Sequence, residues 1–348
     1  MSRISLAWLV PVSRKIDGFI NRELKKFYEE AFQKGFVGKE EATAQLEKAL
    51  KHKTDFVTAL KITIPVNWRS SVSYSFWKSR GKKPSFSTIV ETFRDRRMYE
   101  LAATFAIALK SGDIRDEAFD EKDRLKPEEY EFKIRVADNL EKLVNERVGK
   151  IHRDGFAEKY FKGREEVFNF ELKDLEYSEM FRNGKYDKIV SSYDDLKNAW
   201  HGKTAGIGER VVSLTLFESG LLDEKPEACE AITRYEWAIT NVWMWSDELK
   251  DLLNDLKEGS INMLLVECLR KGLKNVDENT VLSFISRNPG ILEDPVKEYL
   301  DLAKSLEEKL AKYPWMNLKD YSEGARIVFR KLEERRRTLL ERVMTRKT

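Results

Sequence analysis

The sequence predicts an all-α protein, on three observations. Apolar residues recur at three- and four-residue spacing, period-two runs are scarce, and the 8 prolines punctuate helical segments rather than interrupt them. Between Pro127 and Pro226 lies a proline-free stretch of successive amphipathic helices. Within it Val136, Leu140, Leu143 and Val144 follow the i, i+4, i+7, i+8 pattern of one buried face. Ile20, Leu24, Phe27 and Ala31 do the same upstream, as do Ala325, Val328, Phe329 and Leu332 near the end. Lys61 to Val66 is the one stretch that could be a strand, and Pro65 argues against it. Helix ends are marked by Gly81-Lys-Lys-Pro84, Gly184, Gly220 and Asn288-Pro-Gly290. No repeat, low-complexity tract or composition shift marks a linker. Residues 1–348 therefore read as one large all-α domain, with N-terminal helices in 1–60.

Composition removes several classes of function. With 41% hydrophobic and 35% charged residues, the chain is neither disordered nor membrane-spanning. Its 63 basic and 60 acidic residues give a net charge of +3, without the basic excess of a nucleic-acid protein. Cys229 and Cys268 are too few for a disulfide framework, and neither has the setting of a nucleophile, so both read as structural in a reducing cytoplasm. Three scattered histidines, His52, His152 and His201, do not suggest a histidine metal site. The apolar run Leu6 to Val10 is too short for a span or a signal peptide. Glutamine occurs twice only, at Gln33 and Gln45, beside abundant Lys, Glu and Arg, the bias of a heat-adapted surface.

Two carboxylate clusters stand at the ends of apolar helical stretches. In Leu109-Lys-Ser-Gly-Asp-Ile-Arg-Asp-Glu117, Asp113, Asp116 and Glu117 share a helix face at i, i+3 and i+4. In Trp243-Met-Trp-Ser-Asp-Glu-Leu-Lys-Asp251, Asp247 and Asp251 are i and i+4, with Glu248 beside them. Like charges this close repel, so something positive must neutralise them. Arg115 or Lys250 on a solvated face would do so, and so would Mg²⁺, which takes carboxylate oxygens and bridges them to phosphates.

The order of motifs around these clusters resembles the trans-isoprenyl diphosphate synthase family. Lys203-Thr204-Ala205, the aromatic-rich helix ending Asp247-Glu-Leu-Lys-Asp251, then Asn254-Asp-Leu-Lys-Glu-Gly259 and Met263-Leu-Leu-Val266, resemble the C-terminal half of that family. Leu109 to Glu117 resembles its first aspartate-rich motif, and Glu171-Leu-Lys-Asp-Leu175 is similar to the segment between the two. The likeness covers residues 65–348. It implies a helical bundle around a central apolar cavity, with the two aspartate-rich helices facing each other. The activity it implies is Mg²⁺-dependent condensation of an allylic prenyl diphosphate with isopentenyl diphosphate. Asp113, Asp116, Asp247, Glu248 and Asp251 would then hold metal, and Lys203, Arg69, Arg124 and Lys257 would hold diphosphate oxygens. Lys203, Asp113 and Asp247 would be the catalytic set. Ile107 and Ala108, one turn before the first motif, would form the floor that limits product length, and neither is aromatic.

The chain also departs from that pattern. Gly112 stands where the family has the first of two adjacent aspartates, and Glu248 replaces an aspartate in the second motif. Of the family's Gly-Lys-x-x-Arg-Pro segment only Arg69 is matched, with Arg80-Gly-Lys-Lys83 as an alternative, and the arginine pair is reduced to Arg124-Leu-Lys126. Three functions stay open: an active prenyltransferase; a catalytically impaired regulatory subunit paired with an active synthase; and a terpene cyclase or lyase using one allylic diphosphate. A homodimer or a heterodimer is expected.

Three other features have plainer readings. Trp237, Trp243 and Trp245 read mainly as core packing. His152 with Asp154 reads as a solvated turn. Arg335 to Arg337, with Glu333, Glu334 and Glu341, reads as an ordinary charged helix end.

Overall fold

The structure, a computed structural model, describes residues 9–33, 55–85, 88, 96–120 and 125–345. Among these residues there are 14 α-helices and no strand. They group into two compact units, Met1–Tyr160 with Leu214–Glu224, and Phe161–Ser213 with Lys225–Thr348. No helix among the described residues is long and apolar enough to cross a membrane.

The first unit holds α1 (Leu9–Gln33), α2 (Asp55–Arg80), α3 (Arg96–Asp120) and α4 (Pro127–Lys150). Helix α3 is packed along α4 and also meets α1 and α2. Its Leu101, Phe105 and Ile107 are buried, as are Phe132, Val136, Leu140 and Val144 of α4. Ala102, Ala103 and Ala106 add no bulk between them, and the Ser111 hydroxyl donates to the Ala137 carbonyl at 2.8 Å. Each large apolar side chain buried this way contributes about 1.5–3 kcal/mol. The periodicity of α4 is thus confirmed, with Leu143 half-buried at the edge of the stripe. The side chains of Ile20, Leu24, Phe27 and Ala31 lie outside the described residues.

Lys61 to Val66, the candidate strand, lies inside α2. Pro65 forgoes one helical hydrogen bond, but Ile64, Val66 and Trp68 are all buried and Asn67 Nδ2 donates back to the Thr63 carbonyl at 2.8 Å. Burial outweighs the lost bond.

Charge is buried here too. Arg147 of α4 donates to Glu100 of α3 at 3.0 Å and to Glu23 of α1, and Arg96 Nε reaches the other Glu100 oxygen at 3.1 Å. His152 departs from its expected solvated turn. Its side chain is fully buried, stacked on Phe156 with centroids 4.2 Å apart, and Nε2 lies 3.1 Å from the Thr104 hydroxyl. Nδ1 is 3.8 Å from Glu218, so burial against three partners replaces the solvated pairing with Asp154.

The second unit is built on α10 (Pro226–Glu258), a helix of 33 residues. The other helices from α5 to α14 are α5 (Phe156–Arg182), α6 (Tyr186–Ser191), α7 (Tyr193–Trp200), α8 (Gly206–Glu218), α9 (Leu221–Glu224), α11 (Met263–Arg270), α12 (Glu278–Arg287), α13 (Asp294–Leu310) and α14 (Leu318–Thr345). The first residues of α5 and the last of α8 belong to the first unit, as does α9. Helix α10 packs on α13 and α14, and its Ile232, Tyr235, Ile239, Val242 and Leu249 are all buried. Pro226 occupies its first turn, where a missing N–H costs nothing. Gly259 closes it at φ 71°, and Arg182 Cγ would lie 2.6 Å from any Cβ there. Both the left-handed backbone and the close arginine require glycine at the end of the Asp-x-x-x-Gly stretch.

Candidate functional site

Helix α7 does not run directly into α8. Between them His201–Ala205 forms a single π-helical turn, which bulges one residue out of the regular ladder. Gly202 makes this possible, since a Cβ there would fall 2.1 Å from the ring of Phe170 on α5. The bulge directs the next side chain toward the same helix: Lys203 Nζ donates to Asp174 Oδ2 at 2.7 Å. Two segments singled out in the sequence, Lys203-Thr and Glu171-Leu-Lys-Asp-Leu175, therefore meet.

On the other side of the turn, His201 sits among Trp200, Trp237 and Tyr299, with Nε2 2.6 Å from the Tyr299 hydroxyl. Burial, aided by the charge of Lys197 and opposed by Glu298, pushes its pKa down to about 4. The folded state thus disfavours the protonated ring, which the unfolded chain accepts near pH 6.5. Stability should fall as pH drops from about 6.5 toward 4 and then level off for this group, by about 2 kcal/mol after allowing for the water that still reaches the ring. Chemical denaturation across that range checks this, and His201→Phe should flatten the slope.

The second carboxylate cluster lies on α10, also in the second unit. Asp247, Asp251 and Asp255 follow at i, i+4 and i+8 on one face. Asp255 extends the pattern one turn beyond the expected pair, and its spacing was visible in the sequence. Burial raises the Asp247 pKa, Asp251 adds to this, and Arg335 opposes both. Asp255 is pushed up to about 6, first by burial and further by Asp251, against a 2.8 Å hydrogen bond from Asn262 Nδ2. Lys250 stands 3.2 Å from Asp251. Arg335 of α14 donates through Nη1 to Asp247 Oδ1 and to the Ser246 hydroxyl, the latter at 2.9 Å. The charged end of α14 is therefore more than a solvated terminus: one arginine is committed to the aspartate face.

Glu248, a metal ligand by the family resemblance, is engaged here by the protein itself. Its two oxygens accept from Trp200 Nε1 at 2.8 Å and from the Met263 N–H at 2.6 Å, and burial pushes its pKa up to about 8. Glu248 thus turns both oxygens to protein donors, which favour the charged form that burial disfavours. It bolts α7 and α11 to α10, beside Asn262, which caps α11 by accepting from Leu264 and Leu265.

The first cluster lies in the first unit. Asp113 is half-buried on α3; the side chain of Asp116, and all of Arg124, lie outside the described residues. Arg115 reaches Asp138 at 2.9 Å and Glu141 at 2.8 Å on α4. Gly112 is exposed, and a Cβ there would meet nothing within 4 Å. Ile107 is fully buried and Ala108 half-buried. Arg69 is half-buried on α2, while Lys257 is exposed near the end of α10. Cys229 and Cys268 are buried thiols, and burial lifts the Cys268 thiol to about 12, which makes it inert.

Among the described residues no three His, Cys, Asp or Glu side chains are grouped to hold a metal. The α10 face nevertheless has donors suited to a hard cation: the Asp247 and Asp251 carboxylates are 40% and 36% exposed, and Asp251 electrostatically burdens both its neighbours. A cation there would relieve that repulsion.

No protein-family model matches the sequence, and no curated protein matches it. Solved structures do match the fold. Geranylgeranyl pyrophosphate synthetase from the archaeon Geoglobus acetivorans aligns with a TM-score of 0.63 at 14% identity, over 91% of this chain and 99% of that one. A decaprenyl diphosphate synthase from Rhodobacter capsulatus gives 0.61 at 13% identity, over 92% and 97%. A polyprenyl synthase from Caulobacter crescentus, complexed with calcium and isoprenyl diphosphate, gives 0.59 at 14%, over 93% and 98%. The chain has the all-α fold of these synthases.

Proposed function

We propose that the chain is a diverged member of the trans-isoprenyl diphosphate synthase family, a Mg²⁺-dependent prenyltransferase that joins an allylic diphosphate to isopentenyl diphosphate. The observation that carries this reading is the π turn that presents Lys203 against Asp174, in the same unit as the aspartate face of α10. Asp247 and Asp251 would hold Mg²⁺ in that unit, and Asp113 with Asp116 would do so in the other. Bound Mg²⁺ supplies electrostatic stabilisation of a departing diphosphate. Lys203 would donate to diphosphate oxygens, with Asp174 fixing where its ammonium points. Glu248 acts through others: by tying α7 and α11 to α10 it fixes the helix on which Asp247 and Asp251 stand.

A second reading is a subunit that binds diphosphate without condensing it, and Gly112 favours it. One assay separates the two. Purified protein is incubated with Mg²⁺, an allylic diphosphate and radiolabelled isopentenyl diphosphate, and elongated product is expected. Gly112→Asp should raise that activity about tenfold by restoring the paired carboxylate in open space, with little change in stability, since aspartate is only about 0.3 kcal/mol better than glycine in a helix and adds a like charge beside Asp113. No product from either protein, with diphosphate still bound, would favour the second reading; a cyclised product would instead indicate a lyase.

Association with a second copy has support on α5. Phe161, Phe168, Leu172 and Leu175 are 40%, 55%, 50% and 63% exposed and fall on one stripe of that helix. Light scattering on a sizing column should report a dimer, and Phe168→Glu should convert it to monomer.

A further inference from the structure

The strongest unexplained contact is the one between α14 and the aspartate face. Arg335 is only 17% exposed, and it is aimed at the single carboxylate with the greatest claim to a metal. Its Nη1 is shared between Asp247 and the Ser246 hydroxyl, a fixed two-point contact, and Ser246 is itself fully buried. By comparison, Lys250 sits beside Asp251 as an adjacent, exposed residue. The apolar face of α14 is buried separately, by Leu332 and Leu339.

We propose that Arg335 is an internal counter-cation that competes with metal for Asp247, and that diphosphate is what draws it off. This rests on the reading of α10 as a metal-binding face. Asp247 cannot give its Oδ1 lone pairs to Arg335 and to a metal ion at full strength together. A divalent ion brought to Asp247 alone would also repel the adjacent guanidinium. Diphosphate removes both obstacles. A guanidinium presents a planar fork of donors that matches phosphate oxygens, so Arg335 passes from carboxylate to phosphate as Asp247 passes from Arg335 to metal. Charge is compensated before and after the exchange, and no bond is broken other than hydrogen bonds. The consequence is synergy: metal alone binds weakly, and metal with diphosphate binds tightly. Such a device would keep the face from holding metal in the absence of substrate.

The test uses Mn²⁺ as the probe, followed by loss of its free electron paramagnetic resonance signal, with the full chain and with or without inorganic pyrophosphate. Wild type should bind Mn²⁺ at least tenfold more tightly when pyrophosphate is present. Arg335→Ala should bind Mn²⁺ alone at least tenfold more tightly than wild type and should lose most of the pyrophosphate effect. Arg335→Gln, which can keep the bond to Ser246, serves as a second variant if alanine unfolds α14, with circular dichroism as the check. Unchanged Mn²⁺ affinity in both variants would overturn the proposal, as would a wild type indifferent to pyrophosphate. Adding Asp247→Asn to Arg335→Gln separates the two levels. If the extra Mn²⁺ affinity survives that change, the metal is not on Asp247 and the reading of α10 fails. If Asp247→Asn weakens Mn²⁺ while the Arg335 variants do nothing, the reading stands and only the competition is wrong.

Discussion

Arg147→Ala should cost about 3–5 kcal/mol of folding stability, the range expected when one member of a buried ionic cluster is removed and the others stay. The Arg147 side chain is 8% exposed, and the two carboxylates it holds, Glu100 and Glu23, are 9% and 13% exposed. Without the guanidinium, Glu100 keeps, among the described residues, Arg96, whose side chain is 82% exposed and sits across a single helical turn. Glu23 keeps Lys26, at 3.0 Å and 70% exposed. Neither surface cation can match a buried one, because solvent screens it. Equilibrium unfolding in guanidinium chloride measures the loss. The triple replacement Glu23→Leu, Glu100→Leu and Arg147→Met should recover most of it, since apolar groups of similar volume carry no desolvation cost. A loss under about 1 kcal/mol for Arg147→Ala would mean that water reaches the cluster and that these three helices are held by apolar packing alone.

That cluster also shows where sequence reasoning stops. Helices were legible because their signals are local. Pro127 and Pro226 do begin α4 and α10, and Gly81, Gly184 and Gly220 do adopt positive φ at helix ends. Even so, Lys61 to Val66 lies inside α2 despite Pro65, because burial from other helices decided it. The carboxylates of the candidate site were legible for the same reason, since i and i+4 spacing is a property of one helix. Their partners were not. Arg335 lies 88 residues beyond Asp247, and Trp200 lies 48 before Glu248. A charge run at a helix end carries no mark of which arginine turns inward, and an Asp-Glu pair carries no mark of which acid is buried. His152 was misjudged on the same ground, for Thr104 and Glu218 reach it from distant positions. The π turn has a local cause, Gly202 beneath Phe170, but the ring that requires the glycine belongs to another helix.

Lys203→Met should weaken binding of inorganic pyrophosphate, measured by calorimetry in the presence of Mg²⁺, by about ten- to a hundredfold. A hydrogen bond to a charged group is worth about 1.5–3 kcal/mol, and 1.4 kcal/mol is a factor of ten in affinity. Methionine keeps most of the apolar stem, so the change removes the ammonium and little packing. The competing explanation is that Lys203 serves only its ion pair with Asp174. That pair has a lysine 40% exposed and an aspartate 17% exposed, so its own worth to stability is no more than about 1 kcal/mol. The two roles predict opposite behaviour for Asp174→Asn. If the ammonium is a diphosphate ligand, losing its carboxylate leaves it a stronger cation, and pyrophosphate affinity should hold or rise, at most with a slower rate of correct placement. If the pair is only structural, Lys203→Met and Asp174→Asn should lose the same small stability, and neither should change pyrophosphate affinity. Equal and unchanged affinities would remove Lys203 from the binding set and leave the π turn a packing device, formed because Gly202 must pass beneath Phe170.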